Sequence, residues 1–198
     1  MRRTEKPRIP PAMPDDSDVM KAMREFGSFL DITPDDFREL YTKAYAEARA
    51  RFFEERTAAQ IMSTPVLSIR PSMTCADAVR FFDEHNISGA PVALEDGQIV
   101  GVLSETDIAR LVGGTRRPSP MHLLKAVLEK PIEPNALSVP VDTIMTKEAI
   151  CVQKETSLAA MLDIIHTKAI NRLPVIDADK KLVGIVSRTD LLNTLGFF

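Results

Sequence analysis

Two stretches of seven residues carry the side chains best suited to chemistry in this 198-residue chain. They read Gly101-Val-Leu-Ser-Glu-Thr-Asp107 and Gly184-Ile-Val-Ser-Arg-Thr-Asp190. Each offers a glycine, two hydroxyls and a carboxylate in the same order. Glycine removes a side chain where another group must come close to the backbone. A carboxylate accepts several hydrogen bonds at once, and a hydroxyl both donates and accepts. These are residues for binding. No Ser–His–Asp or Cys–His order and no glycine-rich phosphate loop accompanies them, so no catalytic centre is read. His85, His122 and His166 are far apart and lack a metal-ligand spacing, which assigns them surface or packing roles. Cys75 and Cys151 read as small buried residues, open at most to oxidation.

The two motifs are landmarks of a larger repeat. Met145 follows Met62 by 83 positions, and the same offset relates Ile87 to Ile170, Pro91 to Pro174, Gly101 to Gly184 and Asp107 to Asp190. It holds without a gap from Ile61 through Val112, with twelve identities in 52 pairs. A constant offset over so many landmarks means two copies of one supersecondary unit.

Each copy must position its motif with the same elements. Val66–Ile69 reads as a short strand. Thr74 caps a helix running to Asn86, with Ala78, Phe81, Phe82 and His85 at helical spacing. Ala90–Leu94 is a second strand, Asp96-Gly97 a tight turn and Gln98–Leu103 a third strand. A second helix begins at Ser104 and runs to Val112. In the later copy 149–152, 157–168, 173–177, 182–186 and 187–195 take these places. One unit alone exposes an apolar sheet face, which a second unit can cover. The motif therefore sits where the third strand passes into the last helix.

At this point a resemblance becomes specific. Both motifs match, at every defined position, the pattern glycine, apolar, any, Ser/Thr, any, Ser/Thr, Asp of the cystathionine β-synthase-type (CBS) repeats that bind nucleotides. The resemblance spans roughly residues 60–112 and 142–196, with Met-Ser/Thr near each start and Pro-Val in each second strand. It implies an α/β fold: two CBS repeats (β-α-β-β-α) related by pseudo-twofold symmetry, with an N-terminal helical extension and ligand sites between the repeats. It also implies that Asp107 and Asp190 hold ribose hydroxyls. Ser104, Thr106, Ser187 and Thr189 would line the phosphate side, beside helix N–H donors. Val66, Ala149, Pro91 and Pro174 would flank adenine. The alternative for the motif is plain helix capping, with Ser104 and Ser187 as N-caps and Asp in the first turn. One isolated copy would favour capping. Two complete copies at equivalent places favour ligand binding.

The copies differ where phosphate charge would be met. Lys168, Arg172 and Arg188 in the second copy stand where the first has His85, Gly89 and Glu105. Basic residues occur near these points in the family, and arginine grips phosphate through two N–H groups. Glu105 repels polyphosphate. Two unequal sites follow, with AMP, ADP, ATP or a related adenosyl compound as the regulatory ligand and magnesium possible with ATP. The other reading of these three cations is solvated surface charge.

Outside the repeats, Pro7, Pro10, Pro11 and Pro14 mark a tail without regular structure. Thr33 caps a helix with Pro34 in its first turn and Asp35 and Asp36 near its positive end. It extends to about Ala59, with Phe37, Leu40, Tyr41, Ala44, Ala48, Arg51 and Phe52 as an amphipathic face. The expected division is 1–59 for tail and helix, 60–112 for the first repeat, 113–141 for a linker with a short helix at 121–129, and 142–198 for the second repeat. Formal charge is −3 with both signs interspersed, and Arg116 and Arg117 form too small a cluster for nucleic acid. Two cysteines cannot build a disulfide framework, and no window is long and apolar enough to span a membrane. With no signal-like apolar start, these features read as cytoplasmic. Some 60 residues beyond the repeats are too few for a catalytic domain. The expected protein is a sensor that forms a homodimer and reports ligand occupancy to an unknown regulated protein. The rival is a scaffold built on the same pair with empty clefts.

Overall fold

A computed structural model describes residues 16–25, 33–111 and 137–196. The proline-rich tail and the expected helix at 121–129 lie outside the described residues. The chain divides into two compact units. Met1–Met62, Glu155–Arg172 and Val186–Phe198 form a helical unit; Ser63–Lys154 and Leu173–Ile185 form a sheet unit.

In the sheet unit, α4 (Cys75–His85) precedes β1 (Gly89–Ala93), β2 (Ile99–Ser104) and α5 (Glu105–Leu111). The Thr74 hydroxyl accepts from the Asp77 N–H and starts α4, and Asn86 in the left-handed region ends it. Strands β1 and β2 pair antiparallel through a turn closed by Gly97, whose φ of 86 suits a residue without Cβ. One face of this sheet and α4 share a core of Ile69, Ala78, Phe82, Val92 and Leu103. Alternation explains β2: Gly101 and Leu103 are buried while Val102 and Ser104 are not fully covered. The second sheet takes β4 (Val152–Gln153), β5 (Arg172–Ile176) and β6 (Leu182–Ser187), in that order.

Each repeat starts inside the other. Strand β3 (Thr146–Lys147), at the head of the second repeat, pairs antiparallel with Val102 and Gly101 of the first. Ser63, equivalent to Thr146, bridges Ile185, equivalent to Val102. Gln98 bridges Lys181, its own equivalent, so the sheet unit has an internal pseudo-twofold at that pair. The exchange reaches further back than the sequence offset suggests. The Cys75 N–H donates to the Val139 carbonyl and the Val141 N–H to Met73. In the helical unit, the Leu158 N–H donates to Arg56 and the Ala58 N–H to Thr156. These bonds obey the same offset of 83. Equivalent residues Ala58 and Val141 are both wholly buried.

Three details depart from the sequence reading. Val66–Ile69 forms no strand; only Ile69 bridges Val92, because Pro71 and Pro91 have no N–H with which to extend the ladder on either side. Its counterpart β4 keeps two paired residues, Val152 with Val175 and Gln153 with Ile176. The N-terminal helix α2 (Pro34–Glu55) stops short of Ala59. Arg56 turns extended and its carbonyl is taken by the Leu158 N–H, after which α3 (Ala58–Ile61) resumes. Finally, the apolar face of α2 is only partly covered: Phe37, Ala48 and Phe52 are half-buried, none of its residues is fully buried, and Leu40 is 64% exposed. Of the charged residues of α2, Arg51 falls on that face near the helix end. The rest of the helical unit is α1 (Asp16–Glu25), α6 (Leu158–Lys168) and α7 (Arg188–Thr194).

Candidate functional site

In the sheet unit, the first motif runs off the end of β2 into α5. Asp107 is the one charged residue buried among those described, at 7% exposure. Its Oδ2 accepts from the Ser104 N–H at 3.0 Å and from the Ser104 hydroxyl at 2.6 Å. Its Oδ1 accepts from Nη1 of Arg110 at 3.0 Å. Burying a carboxylate is costly unless such partners surround it. Thr106 is half-buried and Glu105 is exposed. The Glu105 N–H donates to the Ser88 carbonyl at 3.1 Å, which ties the motif to the loop before β1.

The helical unit holds the second motif's polar end with the same local geometry. Asp190 Oδ2 accepts from both the N–H and the hydroxyl of Ser187, and the Asp190 N–H returns a bond to the Ser187 hydroxyl at 3.2 Å. That reciprocal pair is a capping box. The Arg188 N–H donates to the Asn171 carbonyl at 2.9 Å, matching Glu105 and Ser88 in the other copy. This bond sets the start of α7 beside the segment joining α6 to β5. Lys168 ends α6, Arg172 opens β5 and Arg188 opens α7, so all three basic residues flank one segment. Lys168 and Arg188 are exposed, while Arg172 is half-buried with its Nη1 shielded from solvent.

The other predicted contacts are spread along the sheet unit. Val66 and Ala149 are half-buried in extended chain just before Ile69 and Val152. Pro91 and Pro174 lie fully buried inside β1 and β5. Within the sheet unit, the half-covered apolar surface at these positions therefore comes from Val66 and Ala149. Gly101 makes room for protein: a Cβ there would stand 2.7 Å from Sδ of Met145 and 2.8 Å from the Thr146 carbonyl oxygen. The close approach is made by the head of the second repeat.

Sequence reasoning missed two participants. Arg110 is three residues beyond Asp107, a spacing that brings side chains together on a helix, and that spacing could have found it. The Gly101–Met145 contact had no local signal, because its partners lie 44 positions apart. Among the minor candidates, His85 packs against Phe81 with tilted rings 4.3 Å apart and its Nδ1 sits 2.9 Å from the Phe81 carbonyl, a packing role. Cys75 is wholly buried and Cys151 half-buried, and burial pushes both thiols up from their ordinary pKa. Among the described residues no cluster of three His, Cys, Asp or Glu could hold a metal. Nor is any described helix long and apolar enough to cross a membrane.

The chain matches known proteins along both repeats. A family model described as CBS domain fits residues 58–114 and again 141–196. A functionally uncharacterised protein of Methanocaldococcus jannaschii is 31% identical over 149 residues, covering 68% of this chain and 88% of that one. The chloroplastic CBS domain-containing protein CBSX1 of Arabidopsis thaliana is 30% identical over 136 residues, covering 63% of this chain and 57% of that protein. Among solved structures, CBSX2 of the same plant in complex with AMP is similar at a TM-score of 0.56 and 26% identity. That similarity covers 70% of this chain and 94% of that one.

Proposed function

From the premise that this chain belongs to the CBS domain family as a tandem pair, we propose that it is a regulatory module that binds an adenosine-containing ligand. The duplicated serine–aspartate arrangement carries this reading: Asp107 and Asp190 stand at the same place in two copies, each oriented by its own serine. A carboxylate fixed in this way presents acceptors at set positions, which suits the two vicinal hydroxyls of ribose. Ser104, Thr106, Ser187 and Thr189 take the phosphate side, and Val66 and Ala149 with Pro91 and Pro174 the base. Lys168, Arg172 and Arg188 contact phosphate, so the second copy prefers the more highly charged ligand. The AMP complex of CBSX2 supports an AMP-type nucleotide here, and magnesium would enter only with ATP.

Occupancy is transmitted because the ligand favours one geometry of a homodimer over another, and a separate regulated protein reads the difference. The module carries no chemistry of its own. Free thiols fit a reducing, cytoplasmic setting.

Calorimetry with AMP tests the reading. Binding should raise the melting temperature, by roughly 5–10 °C at 100 times Kd for a chain of this size. An Asp107→Ala/Asp190→Ala double variant should lose the heat of binding. Unchanged binding by that variant sinks the assignment. One observation favours a ligand-free scaffold instead: both carboxylates already serve as helix caps. That reading expects dimerisation and no nucleotide-dependent shift in melting.

A further inference from the structure

Resting on the ligand-binding reading, we propose that the two motifs select ligands of opposite charge: the second takes a nucleotide, and the first takes an adenosyl compound whose 5′ end is cationic. Each motif is tied in the same way to the loop before its sheet. In the sheet unit α4 ends on Asn86 at φ 51, and the Glu105 N–H donates to the Ser88 carbonyl at 3.1 Å. In the helical unit α6 ends on Ala169 at φ 52, and the Arg188 N–H donates to the Asn171 carbonyl at 2.9 Å. Positions 83–89 and 105 therefore correspond one for one to 166–172 and 188.

The charges at these positions reverse. The first set holds Asp83, Glu84 and Glu105 and no lysine or arginine; the second holds Lys168, Arg172 and Arg188 and no carboxylate. Asp83, Glu84 and Glu105 are exposed, and among the described residues none of them has an ion-pair partner. The neighbouring cations Arg80 and Arg110 are engaged by Asp77 and Asp107. Glu105 stands between Ser104 and Thr106, so a phosphate on their side meets a carboxylate, while a cation there is attracted to it. Hydrogen bonding points the same way. The Ser104 hydroxyl spends its proton on Asp107, and among the described residues nothing donates to its oxygen. The Ser187 oxygen already accepts the Asp190 N–H at 3.2 Å. An open acceptor beside an exposed carboxylate suits an ammonium, which only donates, and not a phosphate oxygen, which only accepts.

Titration calorimetry of the full chain with AMP and with 5′-amino-5′-deoxyadenosine, whose primary amine is protonated at pH 7, tests this. Wild type holding one equivalent of AMP should still bind one equivalent of the amine, with the affinity seen without AMP to within about twofold. Glu105→Arg, which copies the second motif, should weaken the amine at least ~10-fold. Glu105→Gln, which keeps the shape and removes the charge, should weaken it by less but by more than about twofold. Added salt should weaken the amine in the wild type far more than in Glu105→Gln, because an exposed carboxylate is screened. Melting without ligand identifies a variant that has not folded, and the competition in the wild type needs no variant. Displacement of AMP by the amine, binding of only one of the two ligands, or folded Glu105 variants that bind the amine as the wild type does overturn the opposite selection and leave an adenosine-binding module standing. Binding of neither ligand overturns both.

Discussion

Replacing Gly101 by alanine should destabilise the protein in the absence of any ligand. The motif glycine is easily read as space for a bound molecule, and in that case alanine would harm binding alone. Here the space is filled by the chain. An added Cβ falls 2.7 Å from the Met145 sulfur and 2.8 Å from the Thr146 carbonyl oxygen. The sulfur ends a flexible side chain and can move. The carbonyl belongs to β3, whose Thr146 and Lys147 pair with Val102 and Gly101, and it cannot retreat without breaking that register. Overpacking of this kind costs roughly 1–3 kcal/mol. Taking about 2 kcal/mol, Tm should fall by about 4–8 °C for a chain of this size. Differential scanning calorimetry on ligand-free protein measures it. Adding Met145→Ala should recover only the sulfur's share, because the carbonyl stays. An unchanged apo Tm in Gly101→Ala, or complete rescue by Met145→Ala, would refute the reasoning.

Further outcomes follow from other positions. Ala169 ends α6 at φ 52 and ψ 40, the left-handed region that Asn86 fills at the end of α4. Because the side chain is exposed, Ala169→Gly should relieve strain and raise stability by about 0.5–1 kcal/mol, read as a higher urea midpoint at constant slope. Arg188→Glu, which copies Glu105, should weaken AMP about tenfold in titration calorimetry while leaving adenosine nearly unaffected, since only AMP carries the phosphate. Burial holds the Cys75 thiol up from its ordinary pKa, so it stays protonated at neutral pH. Iodoacetamide should therefore modify Cys75 far more slowly than the unfolded chain at pH 7, and raising the pH should speed the reaction; rapid labelling of native protein at neutral pH would contradict its burial.

Much of the fold was legible because the relevant forces are local. Thr74 and Ser157 announce helix starts through hydroxyls three residues from the N–H groups they cap. Asp96-Gly97 announces a hairpin because few residues tolerate its positive φ. Local periodicity misled at Val66–Ile69, where Pro71 and Pro91 have no N–H to carry the pairing beyond Ile69, and at α2, whose apolar face is only partly covered. The candidate site was legible as residue types in order. Its hydrogen bonds followed the capping geometry that the same residues allow, and Arg110 was overlooked although it sits one helical turn from Asp107.

By itself the sequence determined that the chain is a duplication, where its helices start and which side chains the two motifs share, because these depend on spacing and on neighbours within one turn. Only the tertiary structure decided that each repeat begins against the other's last strand, that Gly101 yields its space to Met145 and Thr146, and that Asp107 is buried while Asp190 is half-buried. Those facts depend on contacts between residues tens of positions apart and on what covers each group. A linear spacing does not encode them.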